Sequence, residues 1–231
     1  MLSDRRKSPS GCTRGMGSIL SAVQGRSNAL FPSILALYAF EGARIADVTY
    51  GRGSFWKFVD RALYEVLPTD LKTGIDARSL PYEESSIDMV VFDPPYMHSS
   101  GSSSFSSGHV AFEKHYKNNA AQRGITGHDE VLRTYFECAK EARRVVRKKG
   151  TYVVKCQDEI CANVQRLSHV EIINQLSANG WVCEDLFVLI REGTPVTSRV
   201  QVQLHARKNH SYFLVFRRDD SGRAWKGPGR S

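Results

Sequence analysis

"IDMVVFDPPY", residues 87–96, is the stretch on which the reading of this chain turns. Val90, Val91 and Phe92 are β-branched and aromatic, the composition of a buried strand. Asp93-Pro94-Pro95-Tyr96 then stops it, because each proline fixes φ and offers no N–H to a ladder. Residues 98–108 follow with seven serines and two glycines, a composition that cannot build a core. An acid and an aromatic ring are therefore set rigidly at a strand end, beside a segment expected to act as a mobile substrate loop over 97–128.

Upstream, Arg44–Thr49 reads as a strand that ends in a glycine-rich turn, Tyr50-Gly51-Arg52-Gly53. A short helix with Phe55, Trp56 and Val59 on one face is expected next. Before it, "PSILALYAFEG" reads as a helix with Pro32 in its first turn and Gly42 near its end. Extended pieces are expected at 64–67, 73–76 and 87–92, and an acid stands near each end: Asp70, Asp76 and Asp93. Downstream, Leu132, Tyr135, Phe136, Ala139, Ala142 and Val146 share one face of a helix expected over 129–148, closed by Gly150. A strand over 151–156, a helix over 170–179 ended by Gly180, and strands over 181–190 and 210–217 complete the pattern. Strands alternating with helices imply an α/β sheet covered on both faces, and the short join before the last strand implies an antiparallel end.

The 231 residues suit one domain, here bounded as 18–218 between a basic arm (1–17) and a tail (219–231), both expected to be disordered. Hydrophobic residues make up 41% and charged residues 24%, and no apolar run approaches the ~18 residues of a membrane span. The first residues carry no apolar signal region, so a cytoplasmic protein with no membrane partner is expected. Thirty-two basic against 24 acidic residues give a net charge of +8, which favours a polyanionic partner. Five cysteines without zinc-ligand spacing fit reduced thiols, and no metal site is expected.

Ligands of an open α/β sheet bind beyond the carboxyl ends of its strands. Asp47–Gly53, Asp70, Asp76 and Asp93–Tyr96 all fall at such ends and are expected to converge. "DPPY" with an upstream "DVTYGRG" resembles the S-adenosylmethionine-dependent amino-methyltransferases that modify adenine N6 or cytosine N4 in DNA. "VVKCQDE" and "HARKNHSYFLVF" are similar to a small prokaryotic branch of these DNA methylases, and the resemblance spans about 25–217. It implies a Rossmann-like class I methyltransferase fold, a mostly parallel seven-stranded sheet with an antiparallel last strand. It also implies S-adenosylmethionine as cofactor, DNA as partner with RNA less favoured, and a setting such as restriction-modification.

The chemistry suits these residues. An exocyclic amine has its lone pair delocalised into the base, and two fixed acceptors for its N–H groups would localise that pair. Asp93 and the Pro94 carbonyl are those acceptors, Pro95 stiffens the turn, and Tyr96 offers a stacking face to an extruded base. For the cofactor, the resemblance implicates Asn28, Phe31 and Pro32 over the methionine end and Asp47 at its amino-acid end. Thr49 stands where the family usually has Phe, beside Tyr50, and Gly51 and Gly53 allow close backbone approach. Asp70 is the candidate for the ribose hydroxyls, Asp76-Ala77 for the adenine edge, and Asp93 borders the reacting methyl. Plain alternatives stand beside these: Phe31 as a core residue, Asp70 as a turn former, Lys155 as a structural lysine. Tyr96, His98, Lys155, Arg199, His205, Arg207 and Lys208 are the nucleic-acid candidates, with a solvated loop as the alternative for the basic ones. Little of the chain remains for target recognition, so short specificity, a homodimer or a specificity subunit is expected.

Overall fold

The computed structural model describes residues 18–94, 127–161, 163–193 and 203–221. Its main sheet has seven strands. In chain order these are β1 (Ala22–Gly25), β2 (Arg44–Asp47), β3 (Glu65–Pro68), β4 (Ile87–Phe92), β5 (Val146–Cys156), β8 (Trp181–Arg191) and β9 (His210–Arg218). A separate hairpin is formed by β6 (Glu159–Cys161) and β7 (Val164–Arg166). The helices among the described residues are α1 (Ser27–Tyr38), α2 (His128–Val145) and α3 (Ser168–Ser177).

The spatial order is β1-β8-β9-β5-β4-β2-β3. All neighbouring pairs are parallel except those of β9, which runs antiparallel to both β5 and β8. This is the Rossmann-like arrangement expected from the alternation of elements, with the antiparallel strand enclosed between two parallel neighbours. From β2 the chain moves outward to β3 and then returns to the other side of β2 as β4. That reversal opens a crevice at the carboxyl ends of β2 and β4.

β4 is buried at all six positions, as a strand covered on both faces must be. One core packs α2 and α3 against Phe92, Tyr152, Val154 and Phe216. The other packs α1 and the 3-10 turn Ser54–Phe58 against Val91, Val153, Phe187 and Phe213. Successive residues of β4 and β5 thus alternate between two apolar layers.

Several boundaries differ from the sequence-based expectation. α1 begins at Ser27, so Pro32 lies inside the helix and not in its first turn. Residues 73–76 are not a strand, because Thr73 closes a capping box on Asp70 and Gly74 turns the chain at φ +83°. α2 ends at Val145, and Arg147, Lys148 and Lys149 belong to β5, with Lys149 at φ +61°. Gly150 does not cap the helix. A Cβ there would lie 2.8 Å from the Asp88 carbonyl and 2.9 Å from that of Arg147, so only glycine fits this close approach. Strands β1, β6 and β7 were not expected at all. The flap over 97–126, the basic arm and the end of the tail lie outside the described residues.

Candidate active site

The crevice is built from neighbouring strand ends. Val48 N–H bonds the Val91 carbonyl at 3.0 Å, continuing the β2–β4 pairing past the end of β2. Thr49 then turns its hydroxyl to accept the Asp93 backbone N–H at 2.7 Å. The glycine-loop residue that replaces the family's usual Phe thereby ties the first acid-bearing loop to the DPP turn.

Asp47 ends β2 and is 3% exposed. Its carboxylate accepts from Thr49 N–H at 3.1 Å and from the Trp56 indole N–H at 2.8 Å. Burial pushes its pKa up to about 7 against those two donors, and the nearby charges of Asp93 and Asp70 add to the rise. Trp56 was not foreseen as a site residue, and an indole nine residues downstream gives no local signal of where it points.

Gly51 and Gly53 adopt left-handed φ values of +54° and +68°. At Gly53 an added Cβ would stand 2.5 Å from the Tyr50 hydroxyl, so the ring closes tightly over the turn. Asp70, just past β3, accepts from Gly51 N–H and Lys72 N–H, each at 2.9 Å. It joins the ends of β2 and β3 and forms a turn, as the plain alternative for Asp70 expected.

Three cofactor candidates are placed differently from expectation. Phe31 is 0% exposed, with its ring 5.1 Å from Phe55 and 5.2 Å from Trp56. It supports the wall behind the crevice and offers no free face. Ala77 is buried with Leu80 in the α2-side core. Asp76 is forked by Arg78 at 2.5 Å, which holds its carboxyl below the usual range although burial opposes this. Asn28 is half-buried in the first turn of α1, and Pro32 cannot donate to its carbonyl.

Asp93 and Lys155 are neighbours across β4 and β5. The register pairs Phe92 with Val154, so the next position on each strand faces the opposite layer. There the Lys155 ammonium lies 3.2 Å from Asp93 Oδ2. Its side chain is only 10% exposed, and its ammonium lies 5.5 Å from the Phe55 ring centre and 5.8 Å from that of Phe213. Lys155, a nucleic-acid candidate with a structural lysine as the alternative, is held beside the acid. Asp93 Oδ1 is buried and has no hydrogen-bond partner among the described residues. Pro94 follows, buried, while Pro95, Tyr96, His98 and Arg199 lie outside the described residues.

Beyond Lys155, three further polar residues are buried. Gln157 bonds Arg191 and the Lys208 carbonyl, joining the ends of β5, β8 and the segment before β9. Asp158 meets His169 Nδ1 at 2.7 Å and accepts from Tyr212. Glu159 meets His128 Nδ1 at 2.8 Å, and Glu171 meets His128 Nε2 at 3.0 Å. Burial disfavours the imidazolium, but the two carboxylates outweigh it and raise the His128 pKa. His205 bonds Asn163 of the β6–β7 hairpin, so this part of the basic loop flanks the same sheet edge; Arg207 and Lys208 are half-buried beside it. "CQDE" looks like an exposed polar turn in sequence, and only the tertiary pairing reveals its burial. Among the described residues no cluster of three or more His, Cys, Asp or Glu could hold a metal ion, and no helix is long and apolar enough to cross a membrane.

The family model described as DNA methylase, for amino-methyltransferases of the N6 and N4 type, matches residues 87–226. The chain belongs to this DNA methylase family. The match runs from β4 past β9 and therefore contains Asp93 and Lys155, while the Asp47 loop lies upstream of it. No curated protein sequence matches this chain. Among solved structures it is similar to a Thermus thermophilus protein described as a DNA modification methylase, at 16% identity and TM-score 0.40, covering 62% of this chain and 50% of that one. A Methanosarcina mazei protein described as an S-adenosylmethionine-dependent methyltransferase shares 11% identity at TM-score 0.49, with 80% and 96% covered. The cytosine-N4-specific PvuII DNA methyltransferase shares 14% identity at TM-score 0.43, with 62% and 47% covered. The chain thus spans about half the length of the Thermus protein it matches.

Proposed function

We propose that the protein transfers a methyl group from S-adenosylmethionine to the exocyclic N6 amine of adenine in DNA. The observation that carries this reading is the Asp93 carboxylate, whose Oδ1 has no hydrogen-bond partner among the described residues, held at the switch point of the sheet beside the Asp47 loop. The loop fits the cofactor: two left-handed glycines expose backbone, and the buried Asp47 carboxylate suits a cationic amino-acid end. Asp70 has lone pairs left for hydroxyls beyond its two backbone donors. Bound there, S-adenosylmethionine supplies an electrophilic methyl whose sulfur leaves as a neutral thioether.

The chain's own groups prepare the nucleophile. Asp93 Oδ1 accepts one amine N–H and the Pro94 carbonyl the other, which draws the lone pair out of conjugation. Once the N–CH3 bond forms, the surplus proton on nitrogen leaves toward Oδ1, the nearest free acceptor. The extruded base is expected to stack on Tyr96. A carboxylate at position 93 favours adenine over cytosine in this reading. The test is incubation with unmethylated DNA and labelled cofactor, followed by nucleoside mass spectrometry. N6-methyladenine supports the proposal; N4-methylcytosine, or methylation of RNA alone, replaces it.

Asp47 makes cofactor binding pH-dependent. Its folded pKa of about 7 lies above the unfolded value, so the unfolded chain ionises first as pH rises. Stability of the free protein therefore falls between about pH 4 and about pH 7, by on the order of 4 kcal/mol in total. A cationic ligand prefers the ionised carboxylate and has the opposite dependence. Calorimetric affinity for S-adenosylmethionine should rise about tenfold from about pH 6 to about pH 8. In Asp47→Asn it should be weaker and flat across that range. An equal rise in both proteins would remove Asp47 from cofactor binding.

A further inference from the structure

We propose that Lys155 is a positioning residue for methyl transfer, fixing the orientation of the Asp93 carboxylate toward the target amine through its contact with Oδ2. The inference rests on the function proposed above. An aspartate's terminal torsion is broad and nearly two-fold, so an untethered carboxylate samples many orientations. Two contacts remove that freedom here. Thr49 Oγ1 holds the Asp93 backbone N–H at 2.7 Å, and Lys155 Nζ holds Oδ2 at 3.2 Å. What remains is Oδ1, buried and without a hydrogen-bond partner among the described residues.

The surroundings of the lysine argue for a fixed ammonium and against a solvated one. Its side chain is 10% exposed, with Nζ 5.5 Å from the Phe55 ring centre and 5.8 Å from that of Phe213. Both distances lie within cation–π range, so the rings attract the charge and also limit where it can go. Its backbone is equally constrained: Lys155 pairs with Phe213 in the sheet, and its carbonyl accepts from the Tyr135 hydroxyl at 2.9 Å. A buried ion pair gives little net stability, because desolvating both charges offsets their attraction. Placement of a lysine here is better explained by orientation of the acid than by stability. A phosphate-binding lysine would need its ammonium in solvent, which the aromatic walls prevent.

Lys155→Met keeps the length and apolar contacts and removes the charge. In this variant kcat should fall about 10- to 100-fold, while the dissociation constants for S-adenosylmethionine and for DNA stay within about twofold. Lys155→Arg, which restores a cation near Oδ2, should recover at least about tenfold of the loss. In an Asp93→Asn background, Lys155→Met should have little further effect on kcat, since the lysine acts through the acid. Should Lys155→Met not fold, Lys155→Gln is read by the same criteria. Transfer by the wild type with undiminished kcat in the variant overturns this role alone. Weakened DNA binding with a salt slope reduced by about one would instead make Lys155 a phosphate contact, and also overturns it. Failure of the wild type to methylate any nucleic acid overturns the underlying function and is seen before any variant is made.

Discussion

Asp93→Ala is expected to reduce methyl transfer by about a hundredfold to a thousandfold while leaving cofactor affinity within a few-fold. The variant removes the free buried carboxylate oxygen of the crevice, and with it one of two acceptors for the target amine. Losing one preorganised electrostatic group of this kind raises a barrier by ~3–4 kcal/mol. The cofactor loop should be spared, because Asp47, Gly51 and Asp70 are held by backbone N–H groups and by Trp56 without using the Asp93 side chain. A secondary effect is on folding. Lys155 would keep its ammonium beside two aromatic rings without its carboxylate, so stability should also fall. Single-turnover assays well below the variant's melting temperature separate the two effects. A residual rate above about a tenth of wild type, equivalent to less than ~1.4 kcal/mol, would count against the role given to Asp93.

Phe31→Ala should cost ~3–5 kcal/mol of stability, the range for truncating a fully buried aromatic side chain. Against a typical total of ~5–15 kcal/mol that is a large fraction, and partial unfolding at physiological temperature is expected. The ring is wholly buried against Phe55 and Trp56, and Trp56 in turn donates to Asp47. Damage should therefore spread to the cofactor loop through packing. Phe31→Leu distinguishes packing from contact with the ligand. If the ring only packs, this closer match in volume should cost under ~1.5 kcal/mol and leave cofactor affinity near wild type. If the ring touched the cofactor, Phe31→Leu would also weaken binding while its urea midpoint stayed near wild type.

The sequence alone determined the α/β class, the antiparallel last strand, the bounds of β4, and Asp93 as the acid at its end. These features are written locally. An unbroken apolar run marks a strand covered on both faces, and two prolines mark its stop. Only the tertiary structure decided the rest. β1 is four residues paired to one neighbour, too short for its pattern to stand out. Lys148 and Lys149 continue a helical rhythm in sequence but enter β5, because pairing with β4 and the close approach at Gly150 outweigh local preference. Phe31 and Ala77 became core residues, and Lys155 came to stand beside Asp93, through contacts with residues far away in the chain. Hydrophobic periodicity reports which face of an element is buried. It carries no information about which distant side chain will stand opposite, and the pairing of Lys155 with Asp93 is of that second kind.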